Sequence, residues 1–234
     1  MYKKITHNIT EEHFAHPLAA ELKKKVDKTI IKPTLKSAFP AKTSSETALY
    51  LASHELFGKL YAGVRDYLVA ALEGAPDTAY IAKQLLSDIE KFGPVLTVYY
   101  STQVGNEVVL HLTEFAETFT ELVTAAKIGK DYAKLTTTAL SHLDNLARVL
   151  DRINPTLWPE ATVKEYLYEY ASYVLEQVSA RVRRDWESDS VAKEKSSKVL
   201  MAGPITAGKL LGKQDLANVF AAGLISQFPA LFTN

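Results

Sequence analysis

The chain contains no cysteine, which excludes disulfides, thiolate metal sites and cysteine nucleophiles within it. Neither sign of charge is in excess, because twenty-seven basic residues balance twenty-seven acidic ones. Such a chain offers no overall field that would attract nucleic acid or an anionic membrane. No stretch approaches the ~18 uncharged apolar residues that a membrane span needs, and residues 1–13 lack the apolar run of a secretory signal. These absences predict a cytoplasmic protein with no nucleic-acid partner and no membrane span.

The alternation of apolar and polar residues that is typical of a half-buried strand is also missing. From Thr43 onward apolar residues recur at helical spacing, which predicts an all-α fold, an antiparallel bundle of long helices over residues 43–234. Residues 1–42 differ, because nine lysines face four acids there and three prolines divide the stretch. We predict a basic N-terminal arm with one short helix and extended segments, packed on the body or on a partner.

Capping and stop signals divide the helical part. Thr43 and Glu46 form a capping box for a helix that runs to about Glu73, and the GAPD stretch at 74–77 ends it. Asp77 is the next predicted N-cap, for a helix of about fourteen residues that ends at Gly93-Pro94. Further helices are predicted over about 103–128, 131–153 and 159–195, before a final apolar helix with the sequence LANVFAAGLISQF. Connections are expected near 74–77, 93–102, 129–131, 154–159 and 202–213.

One stretch has the spacing of a nucleotide-binding P-loop. Gly203, Gly208 and Lys209 match the G-x-x-x-x-G-K pattern. A P-loop also requires a buried strand before it and a serine or threonine after its lysine, whereas helical patterns flank this stretch and Leu210 follows Lys209. We therefore predict a glycine-rich connector between two helices, with no nucleotide bound at 203–209.

Several stretches between about Ser53 and Phe232 resemble an uncharacterised all-helical family found in bacterial genomes, with a gap at 192–214 where this chain has an insertion. They are HELFGKLYAGVRDYLVAAL, APDTAYIAKQLL, VGNEVVLHLTEF, ELVTAAKIGK, NPTLWPEATVKEYLY, ARVRRDWESD and GLISQFPALF. The resemblance implies three histidines inside the bundle, at the positions that Leu60, Phe115 and Tyr170 occupy here. Inward histidines and carboxylates could bind a metal, as in di-iron carboxylate bundles. Here apolar or aromatic side chains replace all three imidazoles, so we expect these positions to behave as core.

Charged residues near the end of the predicted helix at 159–195 share its apolar face. Arg181 and Asp185 lie four residues apart, Asp189 follows one turn later, and Val174 and Val178 precede them on the same line. Charges on a core-facing line must be paired or liganded. The sequence favours an ion pair between Arg181 and Asp185, with a binding or metal role for Asp185 and Asp189 as the alternative.

Two other polar groups lie at the edges of apolar faces. Glu107, His111 and Glu114 have the spacing of metal ligands, although a solvated helix flank is the ordinary interpretation. His54 and Arg65 are three turns apart, and structural hydrogen bonds are predicted for both. The candidate binding residues selected by all these patterns are His54, Arg65, Asn106, Glu114, Arg181, Asp185 and Asp189, and the metal candidates among them are His54, Glu114, Asp185 and Asp189.

Two classes of function remain open. The first is a non-catalytic scaffold, assembly or binding protein without a cofactor, which acts through its surfaces on a protein partner or by self-association into a homo-oligomer. The replaced histidines, the twelve tyrosines and the basic arm favour it. The second is a metal- or small-molecule-binding bundle with carboxylate and histidine ligands inside, a divalent transition metal as its cofactor and enzymatic activity left open. No catalytic residue is selected, which favours a protein that is not an enzyme.

Overall fold

A computed structural model describes residues 43–201 and 215–233 of the chain. Helices account for nearly all of these residues. They are α1 (Ser44–Glu73), α2 (Thr78–Glu90), α3 (Phe92–Tyr99), α4 (Thr102–Lys127), α5 (Ala133–Ile153), α6 (Glu160–Arg183), α7 (Trp186–Leu200) and α8 (Leu216–Gln227), followed by a 3-10 helix at Pro229–Phe232. No strand occurs in these two ranges, so the predicted all-α bundle is confirmed. The predicted arm at 1–42 lies outside the described residues, and its separation from a bundle domain at 43–234 stays a prediction.

The first helix begins and ends where the sequence predicts. Glu46 N–H donates to Thr43 Oγ1 at 3.2 Å and Thr43 N–H donates to Glu46 Oε2 at 3.3 Å, which completes the capping box. At the other end Gly74 adopts φ 75°, a left-handed conformation that glycine reaches without a Cβ clash. Lys127 of α4 donates to the carbonyl of Ala71 at 2.6 Å, which places a positive charge at the C-terminal end of α1.

Four helices, α1, α4, α5 and α6, are long, with 30, 26, 21 and 24 residues. Side-chain contacts show that α4 and α5 run antiparallel. Arg152 near the end of α5 pairs with Glu107 near the start of α4. His142, earlier in α5, lies beside Glu114, later in α4. Short connections therefore join neighbouring helices in opposite directions, as in an up-and-down bundle.

The predicted connection at 93–102 is wrong, because α3 occupies most of it. Pro94 is the third residue of α3, within the first turn, where the backbone N–H that proline lacks has no helical partner. The preceding helix, α2, ends at Glu90, before the predicted stop at Gly93-Pro94. Asp77 is its N-cap residue as predicted, but its side chain makes no capping hydrogen bond. A Cβ on Gly105 would lie 2.7 Å from the carbonyl oxygen of Gly93, so these glycines allow α3 to pack tightly on α4.

The predicted single helix over 159–195 is also wrong, because the chain reverses at Arg184. Arg184 has φ 60°, a left-handed conformation that is rare outside glycine. Asp185 N–H donates to the carbonyl of Ala180 at 2.8 Å, which closes α6 with the hydrogen bond of a Schellman motif. Helix α7 then runs back along α6, since Gln177 contacts Ser196 and Arg181 contacts Asp189. The two helices form an αα-hairpin.

The last helix lies in the interior. Every residue of α8 from Leu216 to Ile225 is buried. This explains its nearly continuous apolar sequence, because a helix that is apolar on all sides is buried on all sides. Its surroundings include the indole ring of Trp158, which stacks on Phe220 with centroids 5.3 Å apart. The bundle is thus built around α8 rather than closed by it.

We expect Arg184→Gly to raise the free energy of unfolding by up to about 1 kcal/mol. Left-handed backbone costs a residue with a Cβ roughly 1–2 kcal/mol, and the greater freedom of glycine in the unfolded chain cancels part of the gain. The matched control is Arg183→Gly, at the last helical position of α6, which should lower the same quantity by about 0.5–1 kcal/mol. Urea unfolding measures both variants. Equal losses of stability would contradict the assignment of Arg184 as the residue that ends α6.

Candidate functional site

A buried carboxylate joins α1 and α7. Asp189 is 4% exposed. Arg65 Nη1 donates to Asp189 Oδ1 at 2.5 Å and Nη2 donates to Oδ2 at 2.7 Å, a bidentate pair. Arg65 Nη1 also donates to Gln177 Oε1 at 2.9 Å, and Gln177 Nε2 donates to Ser196 Oγ at 3.0 Å. Arg65 is therefore a structural residue that holds three helices together, as one of the two interpretations of the sequence predicts.

The predicted ion pair between Arg181 and Asp185 is wrong. Arg181 Nη1 donates instead to Glu73 Oε1 at 2.5 Å, and its Nε lies 3.1 Å from Asp189 Oδ2. The guanidinium also lies 5.4 Å from the ring centroid of Trp186. The helix breaks between Arg181 and Asp185, so the i, i+4 spacing no longer places them on one face.

Asp185 is the N-cap residue of α7. Its Oδ1 accepts the backbone N–H of Ser188 at 3.0 Å, and the hydrogen bonds from the Ser188 side chain and backbone hold the pKa of the Asp185 carboxyl below its ordinary value. The sequence contained the signal for this cap. Arg181 and Arg183 lie in the last turn of α6, while Glu187 and Asp189 lie in the first turn of α7, as the helix dipole favours. Asp185 and Asp189 are consequently in different environments and do not form a ligand pair.

His54 joins α1 to the start of α8. Its Nε2 lies 2.9 Å from Asn218 Oδ1 and 3.8 Å from Asp215 Oδ1. Asn218 in turn donates its backbone N–H and its side-chain Nδ2 to the fully buried carboxylate of Asp215, at 2.8 and 2.9 Å. Since the Nδ2 group faces Asp215, the Oδ1 atom accepts from the imidazole. Asp215 is the N-cap of α8, so this cluster fixes the orientation of the central helix.

Glu114 lies between two imidazoles, one of which the sequence analysis missed. Its Oε2 is 3.0 Å from His111 Nδ1 in the same helix and 3.0 Å from His142 Nδ1 in α5. The hydrogen bond from His111, followed by the charge of His142, lowers the pKa of the Glu114 carboxyl. Glu107 pairs with Arg152, and Asn106 is exposed on α4.

The four metal candidates lie in separate clusters. Asp189 contacts two guanidinium groups, Asp185 caps α7, His54 contacts Asn218, and the carboxylate oxygen of Glu114 lies where an ion between the two imidazoles would have to lie. Within residues 43–201 and 215–233 there is no group of three or more His, Asp or Glu side chains arranged to hold a metal ion. Metal analysis of untagged protein would test the metal-binding alternative directly.

The interior of the bundle contains a cavity of about 50 Å³. Helices α1 and α3–α8 contribute to its walls, and every described residue that lines it is buried. Leu60, Phe115 and Tyr170 all line it, and none is more than 7% exposed. The prediction that these three positions behave as core is therefore confirmed. Sequence spacing alone did not predict that they meet at one cavity.

One wall of the cavity is an indole ring in a fixed position. Trp158, in the connection between α5 and α6, is 1% exposed and donates its Nε1–H to the carbonyl of Val219 at 3.0 Å. A Cβ on Gly223 would lie 2.3 Å from the ring, so only glycine leaves room for the indole at this point of α8. Asn154 Nδ2 donates to the carbonyl of Gly223 at 3.0 Å and holds the two segments together.

Comparison of the chain with protein-family models, curated proteins and solved structures finds no match. The resemblance to a bacterial helical family therefore stays a prediction. In the described part of the chain no helix combines the length and the apolar character needed to cross a bilayer. The stretch with P-loop spacing lies outside the described residues, but the element before it is α7, a helix and not the strand that a P-loop requires.

We expect Asp189→Ala to lower the free energy of unfolding by about 3 kcal/mol, the lower end for a buried pair, because two half-buried guanidiniums would lose their shared carboxylate. The control is Asp185→Ala, which removes only a cap hydrogen bond and should cost much less. Urea unfolding, analysed with one m-value for both variants, compares their free energies of unfolding. A loss in Asp189→Ala no larger than that in Asp185→Ala would contradict a structural role for the buried pair.

Proposed function

We propose that this protein binds a small apolar molecule inside its helical bundle. The observation that supports the proposal is the cavity of about 50 Å³ where seven helices meet. Protein interiors are close-packed, and voids larger than a water molecule are few in any domain. A cavity in the middle of the core, with walls from seven helices, is the feature of this molecule that is best suited to hold a ligand.

The chemistry of the walls selects the class of ligand. Among the described residues that line the cavity, all but Trp158 and Tyr170 are leucine, valine or phenylalanine. The indole N–H of Trp158 is already bonded to a carbonyl. A charged or strongly polar ligand would lose its hydration here without compensating hydrogen bonds, which costs several kcal/mol. An apolar ligand loses nothing comparable and gains dispersion contacts with the walls.

The free-energy cost of leaving the cavity empty also favours an apolar ligand. At about 24 cal/mol per Å³, a cavity of about 50 Å³ destabilises the fold by about 1 kcal/mol. A cavity with apolar walls stays dry, so water does not recover this loss. A ligand that fills the space does recover it. By the same kind of measure one water needs about 10–15 Å³ and a cavity that binds benzene has about 150 Å³, so this space suits a short chain of a few heavy atoms rather than a ring or a long acyl chain.

The walls are formed before a ligand arrives. The indole of Trp158 is held by its hydrogen bond to Val219, by stacking on Phe220 and by the absence of a side chain at Gly223. The stacked rings are within 7° of parallel. A preformed wall reduces the ordering cost of binding, so even a small ligand can bind measurably.

The sequence leaves two classes of function open, and this proposal belongs to the second, the metal- or small-molecule-binding bundle, with a small molecule as the ligand. The surface-acting scaffold and the homo-oligomer stay predictions, which light scattering of the purified protein would test. Exposed large apolar side chains on the described helices include Tyr80 on α2, Val98 on α3 and Leu110 on α4. Single exposed apolar residues are ordinary on monomers, so they do not select a partner.

Trp158 provides a direct test of binding. Bromoethane is a suitable probe, because it is a small apolar molecule with few heavy atoms whose bromine quenches indole fluorescence on contact. The second tryptophan, Trp186, is 55% exposed, and the Trp186→Phe background leaves Trp158 as the only indole. We expect saturable quenching, and at a tenfold excess over Kd the free energy of unfolding should rise by about 1.4 kcal/mol. Linear, non-saturating quenching with no gain in stability would overturn the proposal.

A pair of double variants tests whether the probe occupies the cavity. Val108→Leu with Val163→Leu adds one methylene from α4 and one from α6 to the lining. We expect at least a tenfold weaker affinity for bromoethane and a change in stability of no more than about 1 kcal/mol, since the added groups fill space.

The matched control adds the same two methylenes to the same helices. Val123→Leu with Val178→Leu changes buried residues that are not among those lining the cavity. Overpacking there should destabilise the fold by about 1–3 kcal/mol and leave the affinity for bromoethane unchanged. Identical behaviour of the two double variants would place the probe elsewhere.

A further inference from the structure

We infer that α7 opens on a hinge at Arg184 and so admits the ligand to the cavity. This inference rests on the proposed function and adds the route by which the ligand enters. Every described residue that lines the cavity is buried, so a ligand reaches these side chains only after part of the bundle moves. Helix α7 contributes Leu200 to the wall, and Leu200 leaves the wall when α7 leaves the bundle.

Helix α7 presents a largely polar and small face to the bundle. Its buried residues are Asp189, Ala192, Ser196, Val199 and Leu200, and only the last two have large apolar side chains. In α4, by contrast, every buried residue is apolar or glycine. A helix that exposes little apolar surface on leaving the bundle opens at a lower free energy than one that exposes much. Among the long elements of the cavity wall, α7 therefore has the lowest apolar cost of opening.

Polar contacts fix α7 in its closed position, and each of them joins it to α1 or α6. They are the ion pair of Arg65 with Asp189, the hydrogen bond from Gln177 Nε2 to Ser196 Oγ at 3.0 Å, and the hydrogen bond from the hydroxyl of Tyr61 to the carbonyl of Lys193 at 3.3 Å. Opening would hydrate both members of each pair. A substitution that removes one member costs much more, because the other stays buried and unpaired. These contacts thus specify the closed position and are still reversible.

The turn between α6 and α7 has the properties of a hinge. It is centred on Arg184, whose φ of 60° lies outside the helical region. The caps on its two sides are local, because Asp185 N–H bonds to the carbonyl of Ala180 and Asp185 Oδ1 accepts from Ser188 N–H. Both helices therefore stay capped when the angle between them changes. Leu200 lies about 24 Å along the helix from Arg184, at 1.5 Å per residue, so a rotation at the hinge moves this part of the wall furthest.

Helix α3 is the other short helix in the wall, and its attachment is apolar. Its buried residues are Phe92, Gly93 and Leu96. The ring of Phe92 makes an edge contact with Phe57 at a centroid distance of 5.3 Å, and Gly93 allows the close approach of α3 to Gly105 on α4. Opening α3 would expose an aromatic ring and a tightly packed helix contact, which favours α7 as the element that moves.

Native-state hydrogen exchange of the full chain tests the opening. We expect the amides of α7 from Asp189 to Leu200 to exchange together, at least tenfold faster than the slowest amides of α4. Bromoethane at ten times its Kd should slow the exchange of α7 about elevenfold, because the open state does not hold the ligand. Exchange of α7 only at the rate of α4 would overturn the inference, as would a rate that does not respond to bound bromoethane.

A variant with a weaker attachment of α7 tests the route of entry. Ser196→Ala removes the hydroxyl that accepts from Gln177, and Ser196 is not among the described residues that line the cavity. Stopped-flow quenching of Trp158 by bromoethane in the Trp186→Phe background measures the rates of entry and release. We expect both rates to rise about fivefold, the effect of one lost hydrogen bond, and Kd to stay within twofold, because the walls are unchanged. Unchanged rates would contradict entry past α7.

Ser172→Ala is the matched control on α6. Ser172 is buried like Ser196, but its hydroxyl donates to the carbonyl of Glu169 in its own helix. This variant should leave the rates of entry and release as they are. Equal acceleration in the two serine variants would show a general loosening of the bundle and would refute the specific role of α7.

The outcomes separate this inference from the proposed function. If bromoethane binds saturably while neither the exchange of α7 nor the entry rates respond as expected, the ligand site stands and α7 is not its route of entry. If bromoethane does not bind saturably, the proposed function fails and the entry role of α7 fails with it, whatever the exchange of ligand-free α7 shows.

Discussion

The left-handed turn at Arg184 is the constraint on which the rest of the interior depends. Because the chain reverses there, α7 returns along α6 instead of extending into solvent. The reversal brings Asp189 to Arg65 and Arg181, and it also places Leu200, near the end of α7, in the wall of the cavity. The backbone cost of one non-glycine residue with positive φ is small beside the two ion pairs and the apolar contacts that the reversal allows. An extended helix over 159–195 would have left Asp189 without either guanidinium.

The sequence predicted the elements whose signals are local. Thr43 and Glu46 marked the start of α1, Gly74 marked its end, and 3.6-residue periodicity gave the four long helices. The reversal at Arg184 was missed because no glycine or proline lies between Pro159 and Gly203, and positive φ at an arginine has no local signature. The N-cap pattern at Asp185, with acids in the turn that follows, was the signal that could have located it.

The candidate sites show a second limit of prediction from sequence, which is that the partner of a polar side chain can lie far away in the chain. His54 and Arg65 were correctly placed at the edge of an apolar face, but their partners, Asn218 and Asp189, lie more than a hundred residues away. The missing partner of Glu114 was His142, on another helix. The cavity is harder still to foresee, because a void is what remains after side chains from seven helices have packed. Periodicity identifies which face of each helix is inward, and it contains no information about how completely those faces fill the space between them.

The inward face of α6 changes from apolar to polar along its length, and this change divides the interior into two parts. Val163 and Leu167 line the cavity with Tyr170, whereas Gln177, two turns after Tyr170 on the same face, belongs to the hydrogen-bonded network around Arg65. Tyr170 therefore lies where the apolar part meets the polar part. At the polar end the charges of the described residues are matched by partners, so that end fixes the helices. At the apolar end the packing is incomplete. The described side chains that line the cavity therefore lie on the apolar side of this boundary, which is why an apolar ligand matches this interior better than a polar one.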